Sequence, residues 1–85
     1  MVYLIHFKEK LHHAQHYIGF VDKNLKQRIN KHKSNKGAKL LMAVNNKGIP
    51  WEVVRVWEEG DRQLERKLKN CKKARCFCPV CRNHH

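Results

Sequence analysis

Two short apolar runs lie close together at the start of the chain, Val2-Tyr3-Leu4-Ile5-His6-Phe7 and His16-Tyr17-Ile18-Gly19-Phe20-Val21, with only residues 8–15 between them. Both are rich in β-branched and aromatic residues, which suit a pleated, half-buried surface, so each reads as a strand. Residues 8–15 are polar and carry His12 and His13, which makes them a loop or hairpin connection and the two strands antiparallel neighbours. Gly19 inside the second run predicts a bulge or a close approach of another group to the backbone. A chain that commits its first 21 residues to a hairpin must bury the apolar faces of that hairpin with its remaining elements.

Those remaining elements are mostly helical. Asp22 is a candidate helix cap, and Leu25, Ile29 and His32 then fall on one face of a helix over residues 23–33. Ser34-Asn35-Lys36-Gly37 breaks it, with Gly37 free to take positive φ. Residues 38–44 suit a second helix, ended by Asn45-Asn46-Lys47-Gly48-Ile49-Pro50. Residues 51–57, Trp-Glu-Val-Val-Arg-Val-Trp, form a third strand of imperfect alternation. After Gly60-Asp61 a third helix is expected over residues 62–73, with Leu64 and Leu68 facing inward. The expected fold is therefore α+β: a small three-stranded antiparallel sheet flanked by helices, in the order β-β-α-α-β-α. Residues 1–75 are expected to form one domain and residues 76–85 a cysteine-rich tail. His84 and His85, either native or a purification-tag remnant, are set aside.

Charge narrows the function. The 85 residues hold 19 Lys and Arg against 7 Asp and Glu, a formal net charge of +12. So dense a positive field attracts polyanions, and neutralising a phosphate with Lys or Arg releases a condensed counterion, which makes nucleic acid the natural partner. Solubility alone is the plainer reading of the same charge. No basic helix carries a broad apolar face, so a membrane surface is not expected as a partner. The N-terminus lacks a signal-peptide pattern, so the chain is expected in a reducing cytoplasm, with its cysteines free or metal-bound rather than paired.

Five segments stand in order along the chain, Val2-Tyr3-Leu4, Tyr17-Ile18-Gly19, Leu25-x-x-Arg28-Ile29-x-x-His32, Lys36-Gly37-Ala38-Lys39 and Leu64-Glu65-Arg66-Lys67-Leu68-Lys69, and together they resemble the GIY-YIG endonuclease superfamily. Tyr3, in Val2-Tyr3-Leu4, sits where the tyrosine of the first motif falls, and Tyr17-Ile18-Gly19 is the second motif intact. Leu25-x-x-Arg28-Ile29-x-x-His32, then Lys36-Gly37-Ala38-Lys39, look like the helix and loop of those nucleases. Leu64-Glu65-Arg66-Lys67-Leu68-Lys69, after a tryptophan-containing strand, looks like their metal-ligand helix. The resemblance spans about residues 2–70. It is similar most of all to small bacterial members that share the Tyr-Leu-Ile-His-Phe start, the His-Tyr-Ile-Gly strand and a Cys-Pro-x-Cys tail. Met1 stands at the position of the first motif's glycine, and a histidine-rich loop separates the two tyrosine motifs.

The resemblance implies the GIY-YIG nuclease fold and a metal-dependent endonuclease acting on DNA, alone or as the catalytic part of a repair, restriction or mobile-element system. It implies Tyr3 or Tyr17 as general base, of which Tyr3 is preferred here with Tyr17 positioning water or phosphate, and Glu65 as ligand of one divalent ion, Mg²⁺ or Mn²⁺. Chemistry asks for the same parts. Phosphodiester hydrolysis needs a deprotonated water, a neutraliser of charge building on phosphorus and help for the leaving oxygen. Arg28 is planar, always charged and able to hold two phosphate oxygens. His32, one turn later on the same face, can donate to phosphate or shuttle a proton. Glu65 is a hard oxygen ligand. Taken singly, the tyrosines could be packing residues, Arg28 and His32 a solvated helix face, and Glu65 a surface ion-pair partner; it is their joint order that carries the reading.

Lys23, Lys26, Lys31, Lys33, Lys36 and Lys39, with Arg28, form the expected DNA footprint. Trp51 and Trp57 either stack on bases or belong to the core. In the tail, Cys78-Pro79-Val80-Cys81 has the spacing of half a zinc knuckle. The other half would be Cys71 and Cys76, or one of these with a histidine; a structural zinc held by Cys71, Cys76, Cys78 and Cys81 would have four thiolates and no open position. The alternatives are a tail folded onto the core through Phe77 and Val80, or a metal shared between chains. Two further functions stay open beside the nuclease. One is a nucleic-acid-binding module that has lost catalysis on the same scaffold, the other a small zinc-binding module for nucleic acid or protein. So small a domain has little surface for sequence recognition, so either weak specificity or a protein partner that supplies it is expected.

Overall fold

In the computed structural model, residues 1–71 and 74–82 are described. The elements run β1 (Val2–Leu11), β2 (Ala14–Phe20), α1 (Leu25–Lys33), α2 (Lys39–Asn46), β3 (Trp51–Trp57) and α3 (Arg62–Cys71), then two short turns of helix, α4 (Ala74–Phe77) and α5 (Pro79–Arg82). The sheet is three-stranded and antiparallel in the order β2-β1-β3. This is the α+β architecture expected from the sequence, with the first strand at its centre. A central strand is covered on both faces and both edges, which is why Val2 through Phe7 is buried without interruption and reads as a continuous apolar run.

Each face of the sheet carries its own core. Tyr3, Ile5 and Phe7 pack with Leu41 and Val44 of α2, joined by Leu25 and Ile29 of α1. Val2, Leu4 and Ile18 pack on the other face with Leu68 of α3 and with Cys78, joined by Phe77 and Val80. One face thus belongs to α1 and α2, the other to α3 and the chain after it.

The local differences from the sequence reading have physical causes. The hairpin is longer than its apolar runs: β1 continues through Lys8-Glu9-Lys10, whose side chains are exposed, and the chain reverses at His12, which takes φ 56°. Helix α1 starts at Leu25 and is capped by Asn24, whose side chain accepts from the Gln27 amide at 3.1 Å, so Asp22 is not its cap. The left-handed residue after α1 is Asn35 (φ 61°), not Gly37. Helix α2 runs on to Asn46, and α3 is capped by Asp61, which accepts from the Leu64 amide at 2.9 Å. The expected end of α3 at residue 73 falls outside the described residues.

The imperfect alternation of β3 comes from a bulge. Leu4 faces Arg55 while Ile5 faces Val53, so the register slips past Val54. The slip turns the strand's second half over. Trp51 and Val53 pack on the α1/α2 face, whereas Val54 and Trp57 pack on the α3 face. Both tryptophans are thereby half-buried, on opposite sides of one strand.

Candidate active site

The site is built on the α1/α2 face, where β1 and β2 present their tyrosines side by side. Tyr3 stands opposite Gly19 and Tyr17 opposite Ile5. The two rings therefore lie diagonally on one face, with centroids 6.2 Å apart. Tyr3 is 1% exposed and Tyr17 half-buried. Gly19 is the close approach anticipated from the sequence: a Cβ there would collide with the Tyr3 ring and press on that of Tyr17.

Helix α1 brings His32 onto the same spot. Its Nε2 lies 2.7 Å from the Tyr3 hydroxyl, and its ring packs edge-on against Tyr17 and Trp51. The ring is 1% exposed. Gly37 makes the room, since a Cβ on it would overlap His32 Nδ1. That nitrogen is buried with no hydrogen-bond partner. Asn45 of α2 fixes the backbone around the ring: its amide nitrogen donates to the His32 carbonyl at 2.8 Å and to Asn35 Oδ1 at 2.9 Å. Its carbonyl oxygen accepts from the Trp51 indole N–H at 2.8 Å.

Electrostatics set the resting protonation states. Burial, with the Tyr17 phenol beside it, pushes the Tyr3 hydroxyl far above the ordinary phenol range, and Arg28 opposes the shift. Burial likewise raises Tyr17. Burial and the Arg28 charge lower His32, so its imidazole stays neutral below the usual histidine range. Arg28, one turn before His32 and half-buried, acts on all three groups.

Helix α3 reaches the pair from the edge of β2. Lys69 Nζ lies 5.8 Å from the centre of the Tyr17 ring, and Glu65 ion-pairs with Lys69 at 3.6 Å. The negative charge of Glu65 works against ionisation of both tyrosines. Its side chain keeps 20% of its surface exposed, and an i,i+4 contact of 3.6 Å with a half-exposed lysine holds it weakly. A partly exposed carboxylate whose charge is felt by both phenols fits one hard divalent ion that takes its other ligands from water and phosphate. Tyr3, Tyr17, Arg28, His32 and Glu65 are thus gathered from three elements and the central strand's neighbour into one electrostatically coupled group.

The remaining candidates fall elsewhere. Lys23, Lys26, Lys31, Lys33, Lys36 and Lys39, all exposed, are spread along α1, the loops flanking it and the first position of α2. Cys71 and Cys76 are exposed, whereas Cys78 is fully buried and Cys81 half-buried on the opposite face of the sheet. There Cys78 and Cys81 meet His6 and His16, and the four ligand atoms lie within 4.8 Å of one another. Sequence reasoning overlooked both histidines as well as Asn45. The hairpin register that opposes His6 to His16 was the signal for the first two; Asn45 left none.

A family model of the GIY-YIG catalytic domain matches residues 1–76. The chain belongs to the GIY-YIG family. No curated protein and no solved structure matches it. GIY-YIG domains are in general nucleases that act on DNA and depend on a divalent metal. Among the described residues no helix of this GIY-YIG domain is long and apolar enough to cross a membrane.

Proposed function

We propose that this GIY-YIG domain is an active, metal-dependent DNA endonuclease, with Tyr3 and His32 as its proton-accepting pair. The observation that carries the reading is the 2.7 Å contact between the Tyr3 hydroxyl and His32 Nε2. A phenol whose ionisation is opposed by burial does not stand ready as a phenolate at neutral pH. It accepts a proton from water only if its own proton leaves in the same step. A neutral imidazole at hydrogen-bond distance, kept neutral by burial and by Arg28, provides the lone pair to receive it.

Tyr17, on the open side of Tyr3, orients the attacking water or a phosphate oxygen. Arg28 clamps the scissile phosphate and offsets negative charge as phosphorus becomes five-coordinate. Glu65 would hold the divalent ion, which when bound supplies Lewis-acid polarisation of the phosphate and charge neutralisation at the leaving oxygen. The lysines of α1 and its flanking loops contribute sequence-independent backbone contacts. The formal charge of +12 supports DNA as the substrate.

Supercoiled plasmid incubated with the protein and Mg²⁺ or Mn²⁺ tests the reading. Nicking that stops in EDTA is expected. Binding to the same plasmid with no cleavage under any divalent metal would assign the domain to nucleic-acid binding alone.

A further inference from the structure

On the face of the sheet turned away from the tyrosines, four side chains converge that the nuclease reading does not use. His6 of β1 and His16 of β2 stand directly opposite each other across the hairpin, with ring centroids 5.2 Å apart. Cys78, between α4 and α5, and Cys81, within α5, close over them. His6 Nδ1 is 3.4 Å from His16 Nε2, 3.4 Å from Cys78 Sγ and 3.7 Å from Cys81 Sγ. Cys81 Sγ is also 3.3 Å from His16 Nε2.

Hydrogen bonding alone does not account for this arrangement. A neutral imidazole nitrogen has either one proton or one lone pair, so it serves one good hydrogen bond. His6 Nδ1 has three ligand-type atoms around it at nearly equal distance. Atoms arranged so are aimed at a common centre rather than at one another. A tetrahedral zinc site has Zn–N of about 2.0–2.1 Å and Zn–S of about 2.3 Å, which sets N···N edges near ~3.4 Å, N···S near ~3.6 Å and S···S near ~3.8 Å. Four of the six edges, 3.4, 3.4, 3.7 and 3.3 Å, follow that figure, and all six lie within 4.8 Å.

We infer that His6, His16, Cys78 and Cys81 form a structural zinc site that fastens the segment after α3 to the β1–β2 hairpin. Two thiolates balance the charge of Zn²⁺, so the closed site adds no net charge to a region where Cys78 is 0% and His6 6% exposed. All four positions of the tetrahedron are filled by protein, which leaves none for water or substrate and makes the ion structural. Cys78-Pro79-Val80-Cys81 provides the knuckle half, and the paired strand histidines take the place of a second knuckle. Cys71 and Cys76, both exposed, stand outside the set.

The clip joins parts of the chain 72 positions apart, and its strand ligands neighbour the tyrosines: His6 is three residues after Tyr3, His16 one before Tyr17. Metal binding at such a site is folding free energy for the hairpin that presents both tyrosines. The inference does not depend on catalysis, because its ligands lie on the other face of the sheet.

Metal analysis of the purified full chain tests it. About one zinc per chain is expected for the wild type and for a chain with His84 and His85 changed to Ala, and a strong thiol-competing chelator should remove it and lower the Tm. Cobalt substitution should give the visible bands of a tetrahedral site with a sulfur-to-cobalt charge-transfer band. Cys71→Ser and Cys76→Ser should keep the metal, while Cys78→Ser, Cys81→Ser and His16→Asn should lower zinc content at least about tenfold. If the ligand variants do not fold, the wild-type stoichiometry and cobalt spectrum decide by themselves. A folded wild type purified with zinc in the medium and holding less than about a tenth of an equivalent overturns the site. So does zinc that survives Cys78→Ser or is lost with Cys71→Ser.

Discussion

The Tyr3 hydroxyl sits 2.7 Å from His32 Nε2, joining the central strand to the first helix across 29 positions of the chain. Both groups are 1% exposed, so the contact is made inside the core rather than at its surface. Replacing Tyr3 by Phe keeps the ring that fills the space over Gly19 and removes only the hydroxyl. The fold should lose about 1 kcal/mol, in line with one hydrogen bond whose histidine partner is left unpaired. Cleavage should fall by ~10²–10⁴-fold, the range for losing a positioned proton acceptor. Chemical denaturation beside a single-turnover cleavage assay separates the two effects. A loss of activity matched by unfolding would make the tyrosine structural.

His32 should set the acid limb of the pH dependence under the proposed mechanism. Burial and Arg28 hold its folded pKa below the ordinary value of 6.5. Its neutral form, the proposed acceptor of the Tyr3 proton, therefore persists below pH 6.5, and the rate should fall only at more acidic pH. Stability has the same sign. The unfolded chain protonates this histidine near its ordinary value while the folded chain resists, so its contribution is intact above that pH and is lost as pH falls through the folded value. A pH profile of single-turnover cleavage and a pH series of denaturation midpoints should both show this limb. His32→Asn should remove it from the stability series.

Two glycines are required by neighbouring rings rather than by turns. Gly37→Ala drives a methyl group into the His32 imidazole, and Gly19→Ala drives one into the Tyr3 ring. Each should destabilise the fold by ~1–3 kcal/mol and displace a ring of the proposed proton-accepting pair, so activity should drop further than stability alone accounts for. Gly48, at φ 70° with open space around its Cα, is the contrast. Gly48→Ala should cost stability through backbone strain and leave the cleavage rate of the folded protein unchanged.

Asn45 touches none of the proposed reacting groups except through His32, whose carbonyl it binds. Asn45→Ala also releases the Trp51 indole and Asn35. The expected cost is about 1–3 kcal/mol from half-buried polar groups left unpaired. The maximal cleavage rate should fall with little change in DNA affinity. A change confined to affinity would show that Asn45 positions no catalytic group.

The lysines around α1 should behave as independent phosphate ligands. Changing Lys31 or Lys36 to Ala should weaken binding to all DNA sequences alike and reduce the slope of log K against log salt by about 0.9 for each phosphate no longer neutralised. Fluorescence anisotropy over a salt series measures it.

The three strands, the first three helices and the tyrosine face were legible in the sequence because alternation and helical spacing follow burial directly, whereas the short α4 and α5 lie in what reads as a tail. Leu64 and Leu68 pack inward, as their spacing requires. Tyr3, Tyr17, Arg28, His32 and Glu65 could be proposed from motif order, and the fold gathers all five into one coupled group. The features that stayed hidden depend on contacts between distant parts of the chain. Gly37 looks like a turn residue until the His32 ring is seen against it. Asn45 looks like a helix terminator until its bonds to His32 and Trp51 are seen. Pairing Cys78 and Cys81 with His6 and His16 needs both the strand register and the path of the chain after α3, and neither is a local property.

The most direct test compares wild type with Tyr3→Phe, Arg28→Ala, His32→Asn and Glu65→Gln on labelled branched DNA, measuring cleavage and binding in the same samples with Mg²⁺ or Mn²⁺. Metal-dependent cleavage by wild type is predicted, with at least ~10²-fold loss in each variant and DNA binding largely kept because the lysines are untouched. Equal cleavage by wild type and Glu65→Gln would contradict the proposed site, as would wild-type protein that binds the DNA and never cuts it.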